Sequence, residues 1–155
     1  MDPQVRGMIL GLAIGDALGM PTEFLSLVDI RRSYGPEGLQ TYINGKGFFT
    51  DDTQMSMAVA EALIEAGEKP LEELMAAIVG RFISWRHSPD NFRSPGISTL
   101  LAIDHLESGK PWRESGSRNS KGCGSVMRTA PIGYFYRNNL IRMRETAHAV
   151  GTATH

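Results

Sequence analysis

Residues 47–55 read Gly-Phe-Phe-Thr-Asp-Asp-Thr-Gln-Met, a glycine and two aromatic residues followed by a run of polar side chains. Apolar residues follow this stretch at helical spacing. The pattern predicts a helix that begins at about Thr50, runs to about Ala66 and is stopped by Gly67. The rest of the chain is interpreted as packing around this helix and its polar start.

The polar start of this helix allows two interpretations. In the first, Thr50 or Asp51 is the N-cap, and the spacing from Asp51 to Gln54 is that of a capping box. A cap uses one side-chain oxygen, whereas residues 50–53 all carry oxygen in their side chains. In the second, the clustered carboxylates and hydroxyls bind a hard cation such as Mg²⁺, with water or substrate completing its shell.

Composition predicts one soluble globular domain, because the chain has 155 residues, of which 41% are hydrophobic and 21% charged. The net charge of -1 and the pI near 6.4 show no excess of positive charge, so we expect neither nucleic acid nor an anionic membrane surface as a partner. No apolar run reaches the length of about 18 residues that a membrane span needs, and no signal-peptide pattern is present. The single cysteine fits a reducing compartment. We therefore expect a cytoplasmic protein.

The first helix is predicted to start at Asp2-Pro3, as N-cap and first-turn proline, and to end at Pro21. Its apolar stripe is continued by Asp16, four residues after Leu12, so this carboxylate is expected to face the core. A buried carboxylate needs a partner. Asp16 either caps a neighbouring turn or pairs with an arginine, or it supports a metal ligand from behind.

Breaker residues make residues 25–47 irregular in this interpretation, either as a lid or as a plain connector. Further helices are predicted near Pro70, after Ser94-Pro95 and after Asn139. No strand pattern was found. The sequence therefore predicts an all-α domain of about six helices.

The most polar and glycine-rich stretch is residues 109–124, which runs into a predicted helix start at Ser125. A glycine-rich loop that opens a helix presents free amides to a diphosphate. The alternative is a flexible connector in which Gly122 and Gly124 are turn residues. Cys123 has no evident general base near it in the sequence and is not predicted to be a nucleophile.

Three motifs occur in the order found in the ADP-ribosylglycohydrolase family, which the chain therefore resembles. They are Gly-Asp-Ala-Leu-Gly-Met-Pro-Thr-Glu-Phe at residues 15–24, Thr-Asp-Asp-Thr at 50–53 and Gly-Cys-Gly-Ser-Val-Met-Arg at 122–128. Residues 93–96 and the terminal Thr-His also resemble that family's pattern. Its second metal motif, an Asp-Thr-Asp run, is absent. The resemblance implies that residues 1–155 form the N-terminal part of one family domain with a compact helical fold, apparently truncated after the first half. A C-terminal half or a second chain would complete it.

The resemblance also implies a set of site residues. Glu23 is the catalytic residue, for proton transfer or water activation. Mg²⁺ is held by Thr50, Asp51 and Asp52, in a two-metal centre in the complete protein, with Asp16 behind them. ADP-ribose is held by Gly122, Cys123, Gly124, Ser125, Met127 and His155. Since Cys123 stands where the family has asparagine, only backbone contacts carry over at that position. His155 is expected to be frayed because it is terminal.

The implied function is hydrolysis of the glycosidic bond between ADP-ribose and a protein side chain or small conjugate. Two alternatives stay open: a non-catalytic ADP-ribose binder, and a metal-dependent phosphohydrolase. Because the second aspartate motif is absent, we expect weak, single-site Mg²⁺ binding and negligible turnover from the 155 residues alone.

Overall fold

The computed structural model describes residues 2–120 and 122–155. Within those ranges the chain is helical and contains no β-strand, which confirms the predicted all-α class. The helices that the sequence did not predict are α2 and α6. The bounds are α1 Pro3–Gly19, α2 Leu27–Tyr34, α3 Asp51–Ala66, α4 Leu71–Arg86, α5 Ile97–Glu107, α6 Trp112–Ser115, α7 Ala130–Phe135 and α8 Leu140–Thr152, with 3₁₀ turns at Met20–Thr22 and Ile43–Gly45.

The centre of the core is the contact between α3 and α4. Each helix has apolar residues three and four positions apart, which places them in one stripe. α7 packs on α3, while α5 and α8 pack on α4. The side chains that close the central contact are at most 2% exposed: Met55, Val59, Ala62 and Leu63 of α3, and Leu74, Met75, Ile78 and Phe82 of α4.

Helix α1 begins as predicted, because Asp2 accepts a hydrogen bond from the Gln4 amide at 2.8 Å. Its apolar stripe is only half-buried, and Ala17 is its one buried residue. No single helix in the described ranges is long and apolar enough to cross a membrane. α1 extended to Thr22 passes that test only together with α2, across a 96° bend and by length and composition alone.

Helix α2 lies within the segment that was predicted to be irregular, so that prediction was wrong. Ser26 is its N-cap: the hydroxyl accepts from the Asp29 amide at 3.2 Å and donates to the Asp29 carboxylate at 2.5 Å. Arg32 adds an ion pair to Asp29 at 3.2 Å. Gly35 ends the helix with a φ of 88°, a conformation that glycine adopts without strain. The helix was missed in the sequence because its N-cap and the glycine that ends it are separated by only 8 residues, too few for a clear apolar repeat.

Two predicted helix starts were also wrong. Ser94 does not cap α5, because it has a φ of 55° and the helix begins at Ile97, after an N-cap glycine without a side-chain hydrogen bond. Residues 124–128 form turns rather than the helix predicted from Ser125. Helix α7 begins only at Ala130, because Pro131 is favoured in the first turn of a helix and fixes the start there.

Candidate active site

The start of α3 is held by a cap from its own residue and by a carboxylate from α1. Thr50 is the N-cap, and its hydroxyl accepts from the Asp52 amide at 3.2 Å. The predicted capping box does not form, because Gln54 is engaged elsewhere. Its side chain donates to the Asp90 carbonyl at 3.1 Å and accepts from the Trp85 indole at 3.0 Å.

Asp16 accepts four hydrogen bonds from the first turn of α3. One carboxylate oxygen accepts from the Thr50 hydroxyl at 2.8 Å. The other accepts from the Thr50 amide at 2.8 Å, the Thr53 amide at 3.1 Å and the Thr53 hydroxyl at 2.6 Å. The interpretation of Asp16 as a cap of a neighbouring element is therefore confirmed. A negative charge at a helix N-terminus is also favoured by the helix dipole.

Three carboxylates are crowded beside this anchored helix start. Burial, followed by the charge of Asp52, raises the pKa of Asp51 to about 7. Burial and the charge of Asp16 raise the pKa of Asp52, and burial followed by the charges of Asp52 and Asp16 raises the pKa of Glu23. Burial and like charge thus disfavour the ionised form of each carboxylate, and binding of a proton or a cation would relieve this.

Glu23, Asp51 and Asp52 line one cavity of about 750 Å³. The stretch that begins at Gly122 and the terminal His155 form another part of the lining, the glycine-rich wall. The start of α5 contributes a third side. The remaining lining residues are Phe24, Ser94, Pro95, Gly96, Ile97, Ser98, Thr99, Cys123, Gly124, Val126 and Met127.

The segment before α5 is tied to the acidic helix start. The Asp51 amide donates to the Arg93 carbonyl at 2.9 Å. The Arg93 guanidinium donates to the Phe49 carbonyl at 3.2 Å and lies 4.5 Å from the centre of the Phe49 ring. Cation–π contact and hydrogen bond together hold residues 93–96 at the edge of the cavity.

The glycine-rich wall is shaped around the imidazole of His155. A Cβ at Gly124 would lie 2.9 Å from Cε1 and 3.1 Å from Nε2 of His155, so any larger residue there would force the imidazole to shift. A Cβ at Gly122 would meet nothing closer than 3.4 Å. The His155 amide donates to the Gly151 carbonyl at 2.9 Å. The structure therefore holds the terminal residue in place, contrary to the expected fraying.

The structure brings most of the predicted site residues together, but three lie away from the cavity lining. Thr50 is 5% exposed, and its hydroxyl is used by Asp16 and the Asp52 amide. Asp16 lies behind the helix start. Ser125 lines a neighbouring hollow of about 330 Å³, which it shares with His155. Cys123 lines the cavity and is exposed.

Sequence reasoning missed the apolar members of the lining. Ile97 is 76% exposed and Phe24 is 82% exposed, which is unusual for large apolar side chains at a cavity. Phe24 stands next to Glu23 in a motif that was singled out for its carboxylate alone. Arg128 was quoted only as part of a motif, although it is fully buried.

A family model described as ADP-ribosylglycohydrolase matches residues 2–155. The chain belongs to the ADP-ribosylglycohydrolase family. The resemblance inferred from the three motifs is therefore confirmed.

Three individual relatives are similar to this chain, and two of them are named as ADP-ribosyl hydrolases. The chain is 34% identical to an uncharacterized protein of Archaeoglobus fulgidus, over all of this chain and 50% of that protein. It is 31% identical to ADP-ribosylarginine hydrolase Tri1 of Serratia proteamaculans, over 98% of this chain and 42% of that protein. A shorter match, 42% identical over 65 residues, is to the ADP-ribosyl-dinitrogen reductase glycohydrolase of Rhodospirillum rubrum, covering 39% of this chain and 22% of that protein. The chain spans about half the length, or less, of these curated relatives.

The donor chemistry of the site fits part of the shell of a hard cation. Asp51 and Asp52 are neighbouring carboxylates on one helix turn, and burial together with the charge of Asp52 raises the pKa of Asp51. Carboxylate oxygens in this arrangement suit Mg²⁺, which usually keeps several waters. In residues 2–120 and 122–155, however, no three His, Cys, Asp or Glu side chains are grouped so that they could hold a metal ion. Water or ligand oxygens would therefore have to supply much of the shell.

Proposed function

We propose that the cavity is the ADP-ribose site of a Mg²⁺-dependent hydrolase that cleaves the glycosidic bond between ADP-ribose and a modified side chain. The observation that carries this proposal is the cavity itself. It combines three carboxylates of raised pKa with a glycine-rich wall in one lining, in a family whose described activity is ADP-ribosyl glycohydrolysis.

The size of the cavity suits a nucleotide-sized ligand. Small-molecule sites are typically about 300–1,000 Å³ and combine apolar lining with a few polar groups. This cavity has about 750 Å³, with exposed apolar side chains such as Phe24 and Ile97 at its sides. Such surfaces would cover the ribose or base, while the glycine backbone approaches the diphosphate without obstruction by side chains.

The carboxylate wall suits the reacting end of the ligand. Departure of the group attached to ribose develops oxocarbenium character, which nearby negative charge stabilises. Glu23, whose pKa is raised by burial and by the charges of Asp52 and Asp16, would give or take a proton at its carboxyl oxygen during the reaction. A bound Mg²⁺ would orient the ribose hydroxyls and polarise a water molecule. Asp51 and Asp52 would hold that ion. The hydrogen bonds that Asp16 accepts from Thr50 and Thr53 fix the first turn of α3, which carries both carboxylates.

The linkage that we propose is the one to arginine. The Serratia relative, whose match covers 98% of this chain, is named ADP-ribosylarginine hydrolase. The acidic wall supports the same choice, because a guanidinium leaving group is cationic and would be attracted to Asp51, Asp52 and Glu23.

A second candidate is a protein that binds ADP-ribose without cleaving it. It is favoured by the absence, in the described ranges, of a group of three metal-binding acids, histidines or cysteines. One experiment separates the candidates.

The full-length product of the gene would be incubated with an ADP-ribosylarginine peptide, in Mg²⁺ and in chelator, and the products identified by mass spectrometry. Mg²⁺-dependent release of free ADP-ribose supports hydrolysis, and Glu23→Gln should remove it. The matched control is Glu73→Gln, because Glu73 is exposed at the start of α4, outside the cavity. AMP with ribose phosphate would contradict the proposal in favour of a phosphohydrolase. Calorimetric binding of ADP-ribose without turnover would favour the second candidate.

A further inference from the structure

A chain of hydrogen bonds connects the buried interior to the imidazole in the cavity wall. Arg128 is 0% exposed, and its Nη2 donates to the Thr154 hydroxyl and, at 3.4 Å, to the Val150 carbonyl. The Thr154 hydroxyl lies 2.8 Å from Nδ1 of His155. Thr154 is also 0% exposed, so no bulk water reaches its hydroxyl.

The direction of each bond in this chain follows from donor and acceptor chemistry. An arginine side chain has donors only, so the Thr154 oxygen must accept from Arg128. The hydroxyl keeps one proton to donate. Among the described residues its one remaining partner is Nδ1 of His155. If Nδ1 carried a proton instead, the buried hydroxyl would have no acceptor, at a cost of about 1–3 kcal/mol.

We propose that Arg128, acting through Thr154, fixes His155 as the neutral tautomer with its proton on Nε2. Arg128 and Thr154 are therefore positioning residues, and nothing in the family match or the relatives' names assigns them a role. In this tautomer His155 presents an N–H donor on the side of the ring that faces the glycine wall.

The surroundings of the imidazole agree with this tautomer. Burial and the positive charge of Arg128 lower the pKa of His155, which favours the neutral ring. A Cβ at Gly122 would lie 3.5 Å from Nε2, and one at Gly124 would lie 3.1 Å from it. The Nε2 edge therefore lies against the glycine wall, whereas Nδ1 points back to Thr154.

The tautomer determines what His155 recognises. A protonated Nε2 binds an oxygen acceptor, such as a phosphate, hydroxyl or carbonyl oxygen. It has no lone pair for a cation, and the lone pair of Nδ1 is occupied by Thr154. His155 is therefore a hydrogen-bond donor to ligand and is excluded from the metal ligands. This inference concerns the ligand-free protein, so it stands or fails independently of the proposed hydrolase activity.

The test is nuclear magnetic resonance of the ¹⁵N-labelled protein, with long-range proton–nitrogen correlations that distinguish the two ring nitrogens. The wild type should show a single pattern for His155, with Nε2 protonated and Nδ1 accepting. Thr154→Val keeps the shape and removes the hydroxyl, so the Nδ1 resonance should move toward that of a free acceptor and the second tautomer should appear. Thr154→Ser restores the hydroxyl and should restore the wild-type pattern. His148, which is exposed, is the internal control and should not change.

Two results would overturn the inference. One is a wild-type His155 that carries its proton on Nδ1 or on both nitrogens, which is decisive even if Thr154→Val fails to fold. The other is a folded Thr154→Val protein whose His155 spectrum equals that of the wild type.

Discussion

Replacing Asp16 by Asn tests whether one carboxylate anchors the start of α3. The wild-type side chain accepts four hydrogen bonds from Thr50 and Thr53. Asparagine can keep its oxygen where three of these bonds are accepted, but it then turns an amide donor toward the Thr50 hydroxyl, and the three remaining bonds lose their charged acceptor. Hydrogen bonds to charged groups contribute about 1.5–3 kcal/mol each and do not add fully, so the loss is on the order of 3 kcal/mol.

An opposing effect must be subtracted from this loss. Asp16 repels Asp52 and Glu23, and its charge contributes to the raised pKa of both. Removing the charge relieves that repulsion by about 1 kcal/mol at the effective dielectric of a partly exposed site. The net destabilisation should be roughly 2 kcal/mol, which corresponds to a fall in Tm of about 4–8 °C for a chain of this length. Since ordinary domains have about 5–15 kcal/mol of stability, the variant should remain folded.

The measurement is urea unfolding followed by circular dichroism, with Asp29→Asn as the control. The Asp29 carboxylate also accepts a hydrogen bond at a helix start, from the Ser26 hydroxyl, but its side chain is 47% exposed. Its replacement should change the free energy of unfolding by at most about 1 kcal/mol. If Asp16→Asn differs from the wild type by less than about 0.5 kcal/mol, the anchoring role is refuted.

The remaining predictions concern the cavity. Glu23→Gln should keep ADP-ribose affinity in the full-length protein and lower turnover by about 10²- to 10⁴-fold, and unchanged turnover would remove this residue from the mechanism. Asp51→Asn combined with Asp52→Asn should abolish any Mg²⁺ dependence of turnover while the circular dichroism spectrum stays helical, because neither carboxylate is the N-cap; unfolding at room temperature would contradict this. Gly124→Ala should weaken ADP-ribose binding, because the new methyl would come within 2.9 Å of the terminal imidazole, whereas the methyl of Gly122→Ala would stay 3.5 Å from that ring. Titration calorimetry measures both variants, and equal losses of affinity would show that the imidazole does not shape the site.

The sequence predicted the parts of the fold that depend on local signals. α3 and α4 were found because apolar residues repeat at helical spacing over 16 residues each and breakers flank them. The caps at Asp2 and Asn139 were found for the same local reason. α2 was missed because an eight-residue helix with a single cap gives a weak periodic signal.

The site was predicted less completely, because its geometry depends on contacts between distant parts of the chain. The sequence left the partner of Asp16 open among a neighbouring turn, an arginine and a metal ligand. The turn that it bonds lies 34–37 residues away, too far for a local pattern to indicate. The buried guanidinium of Arg128 gave no signal, because arginine is usually exposed. The turn at residues 124–128 was mistaken for a helix start because glycine followed by serine suits both.

The long span between Asp16 and the start of α3 has a consequence for the order of folding. Closing a loop of 34 residues costs about 3 kcal/mol of chain entropy, whereas α3 and α4 meet across a short connection. We therefore expect the α3–α4 hairpin to form early and α1 to attach to it late. Contacts made after the transition state mainly slow unfolding, so in this order of folding replacement of Asp16 should speed unfolding more than it slows folding. The loop that carries Glu23 follows α1 directly. Local opening of α1 would therefore carry Glu23 away from Asp51 and Asp52 while the central helices stay folded.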